Sequence, residues 1–425
     1  MENNEYLPRV ADVLITEYLK AFRAVCIEGP KWCGKTWTAQ HHAASQYLIA
    51  DPADNFAARE RVALDLNFAF AGEEPHLIDE WQEFPQLWDA TKFHVDKSSR
   101  TGQIILTGSS TPNEKGEMHT GTGRIVSFRM RPMSLWESGH SGGEVSLRDV
   151  CEGDFSGVVA TRRMELQMLI ELILRGGWPG TVKLPFEHAV KTPAAYARQI
   201  IDRDVHRVDG IRRDKHKIEL LMRSLARNEA TTAGVTTLKQ DISEADGILI
   251  EDNTINSYLD ALGRLFVLEN QRPFASAMRS GLRIKKAEKR HFCDPSIAAA
   301  LLKATPAKLL KDLRTLGFLF EALVERDLRT YAEAFGGELY HYQDYANREV
   351  DAVIEMPDGE WTAIEIKLGL NQEEAAAENL KKISAQIAAA GGRPPKNLVV
   401  IVGMSSAAYR RADGVVVCPL NALKS

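Results

Sequence analysis

The chain has 425 residues, 44% hydrophobic and 26% charged, with 53 Lys and Arg against 58 Asp and Glu. That length exceeds one compact core, the composition excludes wholesale disorder, and a net charge of -5 excludes coating of nucleic acid by bulk positive charge. Five scattered cysteines with no CxxC pair, a polar N-terminus and no apolar run of membrane-spanning length predict a reducing, cytoplasmic setting and no membrane partner.

In chain order, apolar runs at Ala24–Ile27, Tyr47–Ala50, His76–Ile78 and Ile104–Leu106 are each followed by a turn and a helical or irregular stretch. Strands separated by such crossovers predict a parallel sheet covered by helices. The polar stretch Ser138–Gly153 reads as a linker. An apolar helix over Met164–Leu174 stops at Gly176-Gly-Trp-Pro-Gly180. A helix at Thr237–Ile242, another at Thr254–Leu262 and a strand at Leu265–Glu269 have the order of a winged helix. The second of these helices carries Asp252, Asn253, Asn256 and Asp260, with Arg264 only at its end, a poor match to phosphate. The basic stretch Arg279–Arg290 reads either as a nucleic-acid contact or as a solvated face. The last third is mixed: a helix at Leu316–Tyr331, strands at Leu339–Tyr342, Val350–Met356 and Trp361–Leu368, a helix at Glu373–Ala390 and a buried strand at Asn397–Val402.

Gly29-Pro30-Lys31-Trp32-Cys33-Gly34-Lys35-Thr36 fits G-x-x-x-x-G-K-[ST] and lies between a strand and a helix, the context a phosphate-binding loop requires. Its backbone N–H groups and the helix N-terminus would face phosphate. Lys35 would neutralise the β- and γ-phosphates and Thr36 Oγ would ligate Mg²⁺, so ATP and Mg²⁺ are the expected ligands. Asp79 and Glu80 end an apolar strand, the first placed to hold the Mg²⁺ shell and the second to polarise the attacking water. Ser109, after the strand Gln103–Thr107, reads as a γ-phosphate sensor or as a plain Gly/Ser turn. Arg124, on a glycine-hinged loop from Gly121, reads as an arginine finger in trans, which implies an oligomer, or as a surface salt bridge. Cys33 sits beside Lys35 and a helix N-terminus, where thiolate is favoured, so its modification would block nucleotide binding unless it is an inert loop residue.

Near the C-terminus, Pro357-Asp358-Gly359 has the chemistry of a three-residue hairpin loop. That loop sets Met356 against Glu360 and Asp351 against Glu365, and alternation puts Glu365 and Lys367 on one face. Paired carboxylates joined by a cation favour Mg²⁺ or Mn²⁺, and a lysine beside such a metal orients a water for phosphodiester attack. Glu321, on the preceding helix, is a further candidate ligand. The D…E-x-K spacing is that of PD-(D/E)xK nucleases; a hairpin with a cross-strand ion-pair face is the alternative.

Gly29–Thr36, Leu77–Gln82, Leu106–Ser110, Gly123-Arg124, Arg131-Pro-Met-Ser134 and Arg175–Gly180, with Phe292–Pro295, Gly317–Glu321, Glu349–Asp351 and Glu365–Lys367, resemble prokaryotic AAA-type ATPases whose C-terminal half is a domain of unknown function. The resemblance covers nearly the whole chain. It implies an α/β P-loop ATPase domain over residues 1–140, a helical and winged-helix region over 154–274 and a restriction-nuclease-like mixed α/β domain over 275–425. On that basis Lys35, Thr36, Asp79 and Glu80 carry ATP hydrolysis, while Asp351, Glu365 and Lys367 form a second site acting on DNA. The alternative is a switch ATPase whose C-terminal fold only docks a protein or nucleic-acid partner.

Overall fold

The computed structural model of the chain describes residues 6–111, 123–247, 249–275, 287–344 and 348–425. Gly121 and most of the basic stretch, through residue 286, lie outside them. Two compact units divide the chain. One holds the residues up to Pro132 with Asp202–Arg213 and Tyr258–Val267; the other holds Met133–Ile201, Asp214–Ser257 and Leu268–Ser425.

In the first unit β1 (Ala24–Glu28), β2 (Ser45–Leu48), β3 (His76–Asp79), β4 (Ile104–Gly108) and β5 (Ile125–Arg129) pair in the order β2-β3-β4-β1-β5, all parallel. The apolar runs are unbroken because both faces are covered. Cys26, Ile78 and Leu106 pack into one core, and Val25, Leu77 and Ile105 into the other. The register sets Glu28 beside Gly108 and Leu106 beside Ile78. The C-terminal ends of β1, β3 and β4 therefore share one edge, where open parallel sheets bind their ligands.

Among the described residues, the second unit holds an eight-stranded sheet of β7 (Val158–Ala160), β8 (Arg272–Pro273), β9 (Glu338–Gln343), β10 (Glu349–Glu355), β11 (Trp361–Gly369), β12 (Asn397–Met404), β13 (Ala407–Arg410) and β14 (Val416–Pro419). Their order is β7-β13-β14-β12-β11-β10-β9-β8. The parallel pair β11 and β12 is joined by the helix Glu373–Ala389, whose Ala376, Leu380, Ile383 and Ile387 face Val400 and Val402. The stretch that reads as a linker is folded: it contains β6 (Val145–Ser146), paired with β15 (Leu423–Lys424), and the helix Leu147–Glu152. Two of its small residues are caps. Ser146 accepts from the Asp149 N–H, and Gly153 takes the left-handed position at the helix end.

The strand expected at Leu265–Glu269 does not form. The helix Asp252–Arg264 ends there in a turn, with Phe266 in the left-handed region (φ 58) and the Val267 N–H donating to the Leu262 carbonyl. This is a helix-ending hydrogen-bond pattern with phenylalanine where glycine usually sits, and its residues are apolar because they are buried. Antiparallel bridges instead join Thr231 to Arg290, Leu268 to Phe292 and Gln271 to Lys289.

Buried charge ties the second unit together. The Arg326 guanidinium donates to Asp294 (2.8 Å) and to Asp327 (2.7 and 2.9 Å). Asp294 also accepts from the Gly177 N–H and caps the helix Pro295–Leu301, while Asp327 accepts from the Leu135 N–H. A second cluster sets His291 between Glu229 (3.1 Å) and Glu325 (2.6 Å). Burial disfavours the charged imidazole, but the two carboxylates outweigh it and raise its pKa to about 9.

Arg326→Met leaves two buried carboxylates without a counter-charge, a loss of about 3–5 kcal/mol, read as a lower urea midpoint; an unchanged midpoint would show the hub to be dispensable. His291 is raised from 6.5 to about 9 on folding, so its contribution is complete below pH 6.5 and lost as pH rises through 9. We expect stability to fall by about 3 kcal/mol across that window, and His291→Gln to flatten the slope.

Candidate functional site

The turn after β1 is shaped by what it must avoid. A Cβ on Gly29 would lie 2.1 Å from the Met130 carbonyl oxygen, so the loop passes this close only with glycine. Gly34 (φ 101) opens the helix Lys35–His42, and Trp32 (φ 67) projects outward at the apex. Cys33 points inward, fully buried with its thiol toward the Met130 carbonyl, so the expectation of a reactive thiol is corrected: it is packing beneath the loop. Arg9, also buried, donates to the carbonyls of Cys33 and Arg131 and braces the loop from below. Nothing in the sequence around Arg9 marks that role.

Lys35 is buried, and its ammonium donates to the carbonyls of Gly29 and Pro30, both at 2.8 Å. Thr36 Oγ1 donates to Asp79 Oδ1 (2.8 Å), and Thr107 Oγ1 donates to the same oxygen (2.5 Å). Burial pushes the Asp79 carboxyl up, opposed by the Thr107 hydroxyl and reinforced by the neighbouring Glu80 charge. A buried carboxylate short of positive charge beside a hydroxyl oxygen is a donor set that fits Mg²⁺. Glu80 has positive φ (60), and its Oε2 accepts from Ser109 Oγ (2.9 Å) and from the Gln82 side chain. The expected residues Lys35, Thr36, Asp79, Glu80 and Ser109 therefore meet on one sheet edge. Thr107 and Gln82 join them; Thr107 was visible as a hydroxyl closing an apolar strand.

Lys31 leaves the loop to pair with the buried Asp204 (2.8 Å). Beside it opens a cleft of about 410 Å³, whose walls include Glu80, Ser109, Asp204, Arg207 and Asp209. Arg124 is elsewhere. It precedes Ile125, which pairs with Ala24 at the start of β1, about 15 Å along the strands from the loop. Its guanidinium donates to Asp96 (3.0 Å), the contact that the surface-salt-bridge reading expects, and within its own chain it is remote from the phosphate-binding loop.

In the second unit the hairpin has the expected register. The Met356 N–H donates to the Glu360 carbonyl (2.7 Å), Gly359 is left-handed (φ 79), and Ala352 pairs with Ile364. Asp351 and Glu365 are thus opposite, and Lys367 Nζ reaches both, at 3.0 and 2.5 Å. Glu321 comes to the cluster through Lys289, which the basic stretch Arg279–Arg290 offered as a nucleic-acid contact or a solvated face and which is instead buried. The buried Lys289 lies 2.6 Å from Glu321 and 3.1 Å from the Asp351 carbonyl oxygen. Burial raises Glu365 to about 7, aided by the Asp351 charge and opposed by Lys367; burial raises Glu321 to about 8 against Lys289. Lysines thus occupy the positions facing these carboxylates. Among the described residues no group of three or more His, Cys, Asp or Glu is arranged to hold a metal, so as built Glu321, Asp351 and Glu365 do not fit one.

Residues 21–138 match a family described as an AAA domain. Residues 166–308 and 316–423 match two domains of unknown function, DUF8612 and DUF4143. No curated protein matches the sequence. A Walker-type ATPase of Pyrococcus abyssi is similar in structure at 15% identity, covering 71% of this chain and 97% of that one with a TM-score of 0.42. No helix of the described residues is long and apolar enough to cross a membrane. With the loop, the paired Thr36 and Asp79 and the parallel sheet, the N-terminal match marks an AAA-type P-loop ATPase domain.

Proposed function

We propose that the chain is a Mg²⁺-dependent ATP hydrolase that signals nucleotide state to its C-terminal unit, where a partner docks. The contact between Thr36 Oγ1 and Asp79 Oδ1 carries the reading, because it gathers the two hard oxygen ligands of a Walker-type site from separate elements. Bound Mg²⁺ would supply charge neutralisation at the phosphates. Lys35 exchanges the Gly29 and Pro30 carbonyls for phosphate oxygens. Glu80, oriented by Ser109 and Gln82, accepts the hydrogen bond of the attacking water and fixes its line of approach.

In the C-terminal unit, Lys289 among the carboxylates supports docking without chemistry. One observation favours the second reading, nuclease action on DNA: Asp351, Glu365 and Lys367 meet in the D…E-x-K arrangement. The bridges at Thr231, Leu268 and Gln271 with the helices Lys215–Arg227 and Val235–Asp246 support a winged-helix segment, a further docking surface for protein or DNA.

Glu80→Gln should keep ATP binding and lower kcat by about a hundredfold or more, whereas Lys35→Ala should lose binding itself, both read by phosphate release and a fluorescent nucleotide. Full turnover in Glu80→Gln would remove Glu80 from the reaction. A panel of single-stranded, duplex and branched DNA with Mg²⁺ or Mn²⁺, with and without ATP, separates the C-terminal readings. We expect no cutting; metal-dependent cutting lost in Asp351→Ala and Lys367→Ala would establish the nuclease instead.

A further inference from the structure

The cleft beside Glu80 is lined by the acids Glu80, Glu83, Asp204 and Asp209 and by the cations Lys31 and Arg207. Nearly every charge there is already engaged. Glu83 pairs with Arg59, Asp204 with Lys31, and Asp209 with Arg213 (2.6 Å) and Arg264 (3.7 Å). Glu80 is held by the uncharged Ser109 and Gln82. Arg207 is the exception: among the described residues it is the cleft's cation with neither a hydrogen bond nor an ion pair of its own.

We infer that Arg207 contacts the terminal phosphate of ATP from within the same chain and stabilises the charge that develops there on hydrolysis. The inference rests on the ATPase reading above and assigns an arginine acting in cis, which Arg124, at the far end of its own chain's strands, does not supply.

Local structure sets Arg207 up for this. Ile200–Asp204 is a π-helical turn, a form that recurs at functional sites, followed by the single turn Val205–Arg207. Asp204 and Arg207 are three residues apart and so lie on one face. Asp204 reaches the phosphate-binding loop through Lys31, and Arg207 lines the same cleft as Glu80 and Ser109. Asp209, the nearest acid in sequence, cannot capture Arg207 because two other guanidinium groups hold it. Arg207 is exposed to water, so waiting unpaired costs little. An entering phosphate offers the planar pair of acceptors that a guanidinium fork matches and an ammonium does not.

The test compares wild type with Arg207→Ala and Arg207→Lys, reading steady-state ATPase and the affinities for fluorescent ADP and ATPγS, with circular dichroism confirming the fold. Arg207→Ala should lower kcat by about a hundredfold to a thousandfold. ADP affinity should stay within about threefold of wild type while the preference for ATPγS is lost. Arg207→Lys should recover only a small part of the rate. ATPase and ATPγS preference both equal to wild type in Arg207→Ala would overturn the inference and leave Arg207 a solvated surface group. Absence of turnover in wild type would defeat the ATPase reading, not this one, because the ATPγS-to-ADP affinity ratio still decides whether Arg207 reads the terminal phosphate.

Discussion

A guanidinium removed from water costs several kcal/mol unless carboxylates and other acceptors replace its hydration. Arg326 meets that condition with Asp294 and Asp327, and each of those acids in turn needs further donors. Asp294 takes them from Gly177 and Ser296, and Asp327 from Leu135. The Gly177 carbonyl then accepts from the Met133 N–H, and a Cβ on Gly177 would lie 2.1 Å from the Met133 carbonyl oxygen. Met133, Gly177 and Asp294, from three separated sequence patterns, thus meet around one buried charge. Such patterns look like active-site motifs because buried polar networks constrain residues as tightly as chemistry does.

The first unit solves a related problem with the opposite result. Its phosphate-binding loop must present N–H groups outward, so its carbonyls and Cys33 turn inward and need partners there. Arg9, Lys35 and the backbone at Met130 supply them. Lys35 is therefore held by weak, replaceable acceptors rather than by a carboxylate. An ammonium bonded to two carbonyls exchanges them for phosphate at far smaller cost than breaking a buried salt bridge.

What the sequence revealed divides along the same line. The parallel sheet, the loop, Asp79 with Glu80 and the 351–365 register were legible because each rests on local periodicity or turn chemistry. Phe266 misled because an apolar run after a helix reads as a strand when its helix-ending residue is not glycine. Ser138–Gly153 misled because caps and linkers share a composition. Arg9 and Arg207 were invisible and Lys289 was misread as part of a basic stretch for a different reason: their roles depend on groups far away in the chain, which no local pattern encodes.

That long-range placement matters most at the C-terminal cluster. Burial raises the carboxyls of Glu321 to about 8 and of Glu365 to about 7, and the Asp351 charge beside each adds to the shift against the neighbouring lysines. A cluster rich in carboxylates repels a phosphodiester and attracts a cation. DNA can therefore approach Asp351 only if a divalent ion comes with it, whereas a protein offering lysine or arginine needs no ion at all. Dependence on metal, rather than binding as such, is the property on which the two readings of this unit part. Lys289 decides how much room an ion would find there, since its ammonium already lies against Glu321 and the Asp351 carbonyl oxygen.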